Sequence, residues 1–268
     1  MKKLIVFSDL DGTLLDHNTY SWQAASAAME KLQLFKFPLI LNSSKTYTEM
    51  LSLCKQMNNQ HPFIFENGSS IAIPGNYFST LKNDQYEIIH FGANYQNILK
   101  VLATLRKKYQ YNFIGFNDAS VEDIIRMTNL DKDQAILAKQ RHSSEPIKWL
   151  DSESSINEFK SHLKQHDLAL VKGGRFYNVM GQCNKGASIE WLLKHYKQKE
   201  PETNWITLAL GDSENDIPML ENVTYPVLIY NPDSSPPNTQ KLKNLITPSQ
   251  PGPEGWNKAI HELINLIQ

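Results

Sequence analysis

The stretch FSDLDGTLLD at 7–16 sets two carboxylates, Asp9 and Asp11, one residue apart where an apolar run stops. In an extended chain, residues i and i+2 point to the same side, so both acids can face one cavity. Like charges that close repel unless a cation or a shared proton lies between them. Oxygen-only ligands suit Mg²⁺, which takes one or two carboxylates and completes its octahedron with water and phosphate oxygens. Gly12 permits a sharp turn, and Thr13 adds a hydroxyl and an amide. Asp-Gly is also a common turn pair, and taken alone the stretch fits a polar turn at a strand end.

Three other stretches add weight. In LALGDSENDIPM at 208–219 an apolar run ends at Gly211, and Asp212, Glu214, Asn215 and Asp216 follow. Asp212 and Asp216 share one face if a helix begins there. Carboxylates also suit a helix N-terminus, but three acids within five residues exceed what capping needs. In CNKGASIEW at 183–191, Asn184 can cap a helix that Lys185 and Gly186 open. A cation there opposes the helix dipole and calls for a neighbouring anion, unless it is simply solvated. In LILNSSKT at 39–46, small hydroxyls end an apolar run and a lysine follows, which supplies donors for a phosphate oxygen.

The elements that must position these groups are legible from periodicity. Lys3 to Phe7, Phe37 to Leu41, Phe63 to Phe65, Trp205 to Leu210 and Tyr225 to Tyr230 are short apolar runs suited to a buried parallel sheet. Between them, Met50, Leu53, Cys54 and Met57 recur at helical spacing, as do Ile189, Leu192, Leu193 and Tyr196. Strands alternating with helices predict an α/β fold, a Rossmann-like doubly wound parallel-sheet core. In such a sheet ligands bind beyond the carboxyl ends of the strands, where all four stretches fall. The middle of the chain differs. Tyr86 to Phe91, Tyr111 to Phe116 and Ala169 to Met180 read as strands, with helices marked by Ile98, Val101, Leu102 and Leu105 and by Ile156, Phe159 and Leu163. Two helices on one face of a small antiparallel sheet fit this stretch. We therefore expect a core of 1–82 and 183–268 around an α+β insert at 83–182.

Composition is that of a soluble globular protein: 41% hydrophobic, 21% charged, net charge −1. That balance provides no field for nucleic acid or an anionic membrane. Leu4 to Phe7 is too short for the apolar region of a signal peptide, and no run reaches a membrane span. Cys54 and Cys183 form no CxxC pattern, and a reduced, cytoplasmic setting is expected. His261-Glu262 begins an HExxH pattern that Asn265 breaks, and His162 and His166 have no third ligand in view.

The order and placement of DLDGT at 9–13, Ser43, Lys185 and GDSEND at 211–216 resemble the four motifs of the haloacid dehalogenase superfamily. The insert resembles the C2-type cap of its Cof-like branch. A closer similarity is to the mannosyl-3-phosphoglycerate phosphatases. SSKT at 43–46 stands where sugar phosphatases of the branch usually carry a Gly-Arg pair. DHNTYSW at 16–22, ENGSSI at 66–71, GGRFYNVMG at 173–181 and GPEGW at 252–256 resemble the same family. The second motif carries Ser43 rather than threonine, and either can donate to phosphate.

The resemblance implies a Mg²⁺-dependent phosphatase that hydrolyses 2-O-mannosyl-3-phosphoglycerate through an aspartyl-phosphate. Asp9 would be the nucleophile and Asp11 the general acid and base, with Ser43 and Lys185 binding the phosphoryl group. Mg²⁺ would be held by Asp9, the backbone carbonyl of Asp11 and Asp212, with Asn215 and Asp216 just outside that set. Substrate contacts are expected from Lys45, Asn67, Gly68 and Arg175, with Gly173 and Gly174 admitting close backbone approach. The partner is then a small phosphorylated sugar-glycerate, with neither nucleic acid nor membrane. Alternatives are a broader sugar-phosphate or glucosyl-3-phosphoglycerate phosphatase, a phosphomannomutase-like enzyme, and a non-catalytic phospho-ligand sensor.

Overall fold

The computed structural model describes residues 2–78, 85–173, 175–232 and 236–267. In chain order the strands are β1 (Lys2–Ser8), β2 (Leu39–Asn42), β3 (Phe63–Phe65), β4 (Ser70–Pro74), β5 (Tyr86–His90), β6 (Phe113–Gly115), β7 (Ser144–Trp149), β8 (Leu168–Lys172), β9 (Tyr177–Gly181), β10 (Asn204–Gly211) and β11 (Tyr225–Leu228). The helices are α1 (Ser26–Leu34), α2 (Tyr47–Gln56), α3 (Tyr95–Tyr109), α4 (Val121–Thr128), α5 (Lys132–Ala138), α6 (Glu153–Lys164), α7 (Lys185–Lys199), α8 (Ile217–Leu220) and α9 (Gly252–Ile267). One sheet has seven strands in the order β11-β10-β1-β2-β3-β4-β5, and a second has four in the order β6-β7-β9-β8.

The first sheet is doubly wound, as the apolar runs predict. Along β1, Leu4 and Val6 pack on one face with α1, α2 and α9. Ile5 and Phe7 pack on the other face with α7 and α8. Burial on both faces is what a continuous apolar run demands. β11, β10, β1, β2 and β3 pair in parallel, whereas β3–β4 and β4–β5 are antiparallel. Proline marks two of the expected strands. β2 starts after Pro38, and β11, which carries Pro226, lies at the sheet edge, where a missing N–H is tolerated.

Two expectations about the insert need correction. Tyr86–His90 does not join the small sheet: β5 completes a hairpin with β4 and extends the seven-stranded sheet. Ala169 to Met180 is not one strand but two, β8 and β9, paired antiparallel. The expected helices are α3 and α6, and they pack on one face of the small sheet through Ile98, Leu102, Leu105, Phe159 and Leu163. Helices α4 and α5 escaped the periodicity reading because each has only two turns. Their starts are nonetheless written locally, as capping boxes at Ser120/Asp123 and Asp131/Gln134. Phe116, Ile124 and Ala135 gather them into a second apolar cluster beside the site.

Candidate active site

Parallel pairing leaves the carboxyl ends of β1, β2, β3 and β10 on one edge, and there the four stretches meet. Asp9 follows β1, and Lys185 opens α7. The Asn184 side chain caps that helix, accepting from the amides of Gly186 and Ala187 at 2.9 and 3.1 Å. The Lys185 ammonium, 1% exposed, donates to Asp9 Oδ1 at 2.5 Å and to Asp216 Oδ1 at 2.6 Å. The lysine at a helix start therefore has its anions. Burial alone would lower its pKa, but Asp216 and Asp9 more than offset this and hold it above the ordinary lysine value. Asp216 Oδ2 accepts from the amides of Asp212 and Ser213, each at 3.1 Å. Both its oxygens are engaged, and it locks the loop and the lysine together.

Asp212 accepts from Thr13 Oγ1 at 3.3 Å and from Asn231 Nδ2 at 2.5 Å. Burial, reinforced by Asp216, pushes its pKa up to about 6. Burial also raises that of Asp9, aided by Asp216 and Asp212 and opposed by Lys185. Carboxylate oxygens of Asp9, Asp212 and Asp216 lie within 4.8 Å of one another. A divalent cation relieves such crowding, and an all-oxygen donor set selects a hard one. Gly12 keeps the place open. Its φ is +80°, and a Cβ there would stand 2.8 Å from Asp212 Oδ2. The residues present thus fit a divalent metal.

Asp11 stands apart from that group. Its Oδ2 pairs with Lys45 Nζ at 3.0 Å, while Oδ1 is shielded from solvent and accepts no hydrogen bond. Ser43, 1% exposed, follows β2 and accepts weakly from the Lys45 amide at 3.4 Å. A cavity of about 330 Å³ opens between this edge and the insert, bringing Asp9, Asp11, Lys45 and Asp212 opposite Arg141 and Arg175. The insert is seated by hydrogen bonds across the gap. Arg141 Nη1 donates to the Ser44 carbonyl at 2.8 Å, Thr46 Oγ1 to the Leu137 carbonyl at 3.0 Å, and Arg175 Nη2 to the Tyr20 hydroxyl at 2.8 Å. A larger open cleft, about 530 Å³, lies among Cys54, Asn59, Gly75 and Tyr86, and among the described residues no acidic side chain lines it.

Not every expected contact reaches the cavity. Asn67 and Gly68 lie behind its wall: Asn67 accepts from Asn215 Nδ2 at 3.3 Å, and Gly68 packs on the backbone of Asn184 and Lys185. Asn215 itself lines the cavity. Gly174 lies outside the described residues; Gly173 lines the cavity. Tyr20, Arg141 and Asn231 were not singled out by the sequence. A local signal existed only for Tyr20, inside DHNTYSW. Trp256 is fully buried and donates to Ser8 Oγ at 2.9 Å, and Ser8 donates to the Asp9 carbonyl at 2.7 Å. It thereby steadies the backbone of Asp9.

A carboxylate held by a lysine, beside a hard-cation site at the strand ends of a doubly wound sheet, belongs to an enzyme that hydrolyses phosphoric monoesters. The chain is a member of the haloacid dehalogenase-like hydrolases, whose family model matches residues 6–251. Curated relatives include a glucosyl-3-phosphoglycerate/mannosyl-3-phosphoglycerate phosphatase of Methanococcoides burtonii, 38% identical over 98% of this chain and 97% of that protein. Another of the same description, from Persephonella marina, is 34% identical over 99% of this chain and 98% of its own. Among solved structures, a Thermoplasma acidophilum protein superposes with a TM-score of 0.70 at 16% identity, covering 98% of this chain and 99% of that one. The sucrose-phosphatase of Synechocystis, solved with sucrose and phosphate, gives 0.65 at 18% identity, covering 98% and 99%. These two likenesses speak to the fold. Among the described residues, no helix is long and apolar enough to cross a membrane.

Proposed function

We propose that this enzyme is a Mg²⁺-dependent phosphatase that converts 2-O-mannosyl-3-phosphoglycerate to mannosylglycerate and inorganic phosphate. One observation carries the reading: a single cavity has Asp9 on one wall and two guanidinium groups, Arg141 and Arg175, on the other. Among the described residues, neither arginine has a carboxylate within ion-pair distance, and their recorded hydrogen bonds go to backbone carbonyls and the Tyr20 hydroxyl. A substrate with a phosphate at one end and a carboxylate at the other matches both walls.

Asp9 attacks phosphorus, the bond to the glyceryl oxygen breaks, and Asp11 gives that oxygen its proton. Asp11 then takes a proton from the water that cleaves the aspartyl-phosphate, which frees phosphate and restores Asp9. Lys185 and Ser43 bind phosphoryl oxygens, and Asp216 orients Lys185. Mg²⁺ would be held by Asp9, the Asp11 carbonyl and Asp212. When bound, it neutralises charge on the phosphoryl oxygens. Lys45, already on Asp11, is placed for the glyceryl part. The insert acts as a cap that excludes water over the substrate. We place the reaction in the cytoplasm, where free thiols such as Cys54 and Cys183 persist.

A second reading, in which the glucosyl analogue serves as well, is favoured by the relatives' names, which join both sugars. The test is phosphate release with Mg²⁺ from mannosyl-3-phosphoglycerate, glucosyl-3-phosphoglycerate, 3-phosphoglycerate and mannose phosphates. Wild type should prefer the glycosylated glycerates. Asp9→Asn should abolish release, and Arg175→Ala should blunt the preference. Equal rates across the panel would leave the chemistry and remove the substrate.

A further inference from the structure

Glu66 is a carboxylate that the chemistry above does not use, and it is fully buried. Burying a charge is costly unless donors surround it. Its donors come from the insert: the amides of His142 and Ser143 at 2.8 and 2.9 Å, and Ser144 Oγ at 2.7 Å. Burial would raise its pKa, but the His142 imidazole, 3.7 Å from Oε1, the nearby Arg141 charge and the Ser144 and Ser143 bonds bring it below the ordinary value. Glu66 thus stays an anion that pins the start of β7 to the end of β3.

The backbone at this point is unusual. Glu66, Asn67 and Gly68 have φ of 50°, 58° and 89° in succession. Two non-glycine residues in the left-handed region persist only where the surroundings hold them. Here the holders belong to the catalytic loops and to the start of α7. The amides of Glu66 and Asn67 donate to the carbonyls of Lys45 and Ser43, both at 2.9 Å. Asn67 Oδ1 accepts from Asn215, whose own oxygen accepts from Ser213 Oγ, and that hydroxyl also reaches Asp216. The Gly68 carbonyl accepts from Ser188 Oγ at 2.7 Å, and a Cβ at Gly68 would stand 2.2 Å from the Asn184 carbonyl oxygen.

We propose that Glu66–Gly68 is a positioning hub, in which seating of the insert on Glu66 sets the placement of Lys185 and of the 211–216 loop. Withdrawal of the insert takes away the donors of Glu66. The left-handed turn then relaxes, and the start of α7 and Asn215 shift with it. Closure over substrate and alignment of the catalytic groups become one event.

The test uses Glu66→Gln, which keeps the shape but sets an NH₂ group against N–H donors, and Glu66→Asp, which keeps the charge. Hydrogen exchange is followed on the full chain at the amides of His142 and Ser143 and, separately, of Gly186 and Ala187. In Glu66→Gln both pairs should exchange faster by about tenfold or more, the scale of one lost charge-assisted hydrogen bond, while β1 amides keep their protection. Glu66→Asp should fall between this variant and wild type. Acceleration at 142–143 alone would reduce Glu66 to a seat for the insert and overturn the coupling. No acceleration anywhere would remove the pin as well. Kinetics supply a second readout, and only this arm rests on the proposed function. Acetyl phosphate is too small to touch the insert, so coupling predicts a lower kcat for it in Glu66→Gln, whereas a mere seat would raise KM for the sugar-glycerate alone. If wild type released phosphate from neither compound, the functional reading would fall while the exchange data still decided the coupling.

Discussion

Replacing Lys185 with methionine keeps the length of the side chain and removes its charge. The ammonium makes bonds of 2.5 and 2.6 Å to Asp9 and Asp216, and the side-chain exposures are 1%, 10% and 0%. At Asp216, water therefore cannot replace the lost partner. Removing one member of a buried ion pair costs about 3–5 kcal/mol, because the charge left behind is uncompensated. Here one cation serves two acids, so we expect a loss of about 4 kcal/mol. At roughly 2–4 °C per kcal/mol for a chain of this size, the melting midpoint should fall by about 8–16 °C. Circular dichroism melts in chelator give the value without help from an added cation. Adding Asp216→Asn removes one stranded charge and should recover about 1–2 kcal/mol. A midpoint within about 2 °C of wild type, or a double variant less stable than Lys185→Met alone, would refute the account of this cluster.

Gly12→Ala forces an L side chain to a φ of +80° with its Cβ 2.8 Å from Asp212 Oδ2. We expect about 1–2 kcal/mol of destabilisation from the backbone alone, and weaker Mg²⁺ binding by calorimetry. Unchanged affinity would show that Asp212 does not hold the ion. His61 is held near a pKa of about 4 by burial, and its Nδ1 meets the Tyr77 hydroxyl at 2.7 Å. Below pH 6.5 the unfolded chain takes up this proton and the folded one does not. Stability should thus decline as pH falls from 6.5 towards 4, by about 1–2 kcal/mol between pH 7 and pH 5. Urea titrations at the two pH values measure this, and His61→Gln should remove that share of the difference.

Much of this molecule is local information. The runs at Leu4 to Phe7 and Trp205 to Leu210 specify strands buried on both faces, because no charged side chain interrupts them. Asp9, Asp212 and Lys185 are legible for a related reason: charge at the end of an apolar strand or at the start of a helix needs a partner. Asn184 announces the start of α7 through its own capping bonds. The short helices α4 and α5 were hidden because two turns are too few for periodicity, although their capping boxes are written plainly.

What lay beyond the sequence concerns partners distant along the chain. Tyr86–His90 has the same pattern whether it joins the small sheet or the large one, and only its pairing with β4 decides. Asn67 and Gly68 are expected as substrate contacts on the strength of the resemblance. In the structure they are buried, Asn67 bonded to Asn215 and Gly68 packed on Asn184, and neither lines the cavity. Nothing local marks Arg141, whose partner Ser44 lies 97 positions away. The sequence by itself determined which groups can do chemistry, since that follows from residue type at strand ends. The tertiary structure alone decided what faces them, because hydrogen bonds between the insert and the core depend on how the chain returns, and no local spacing encodes that.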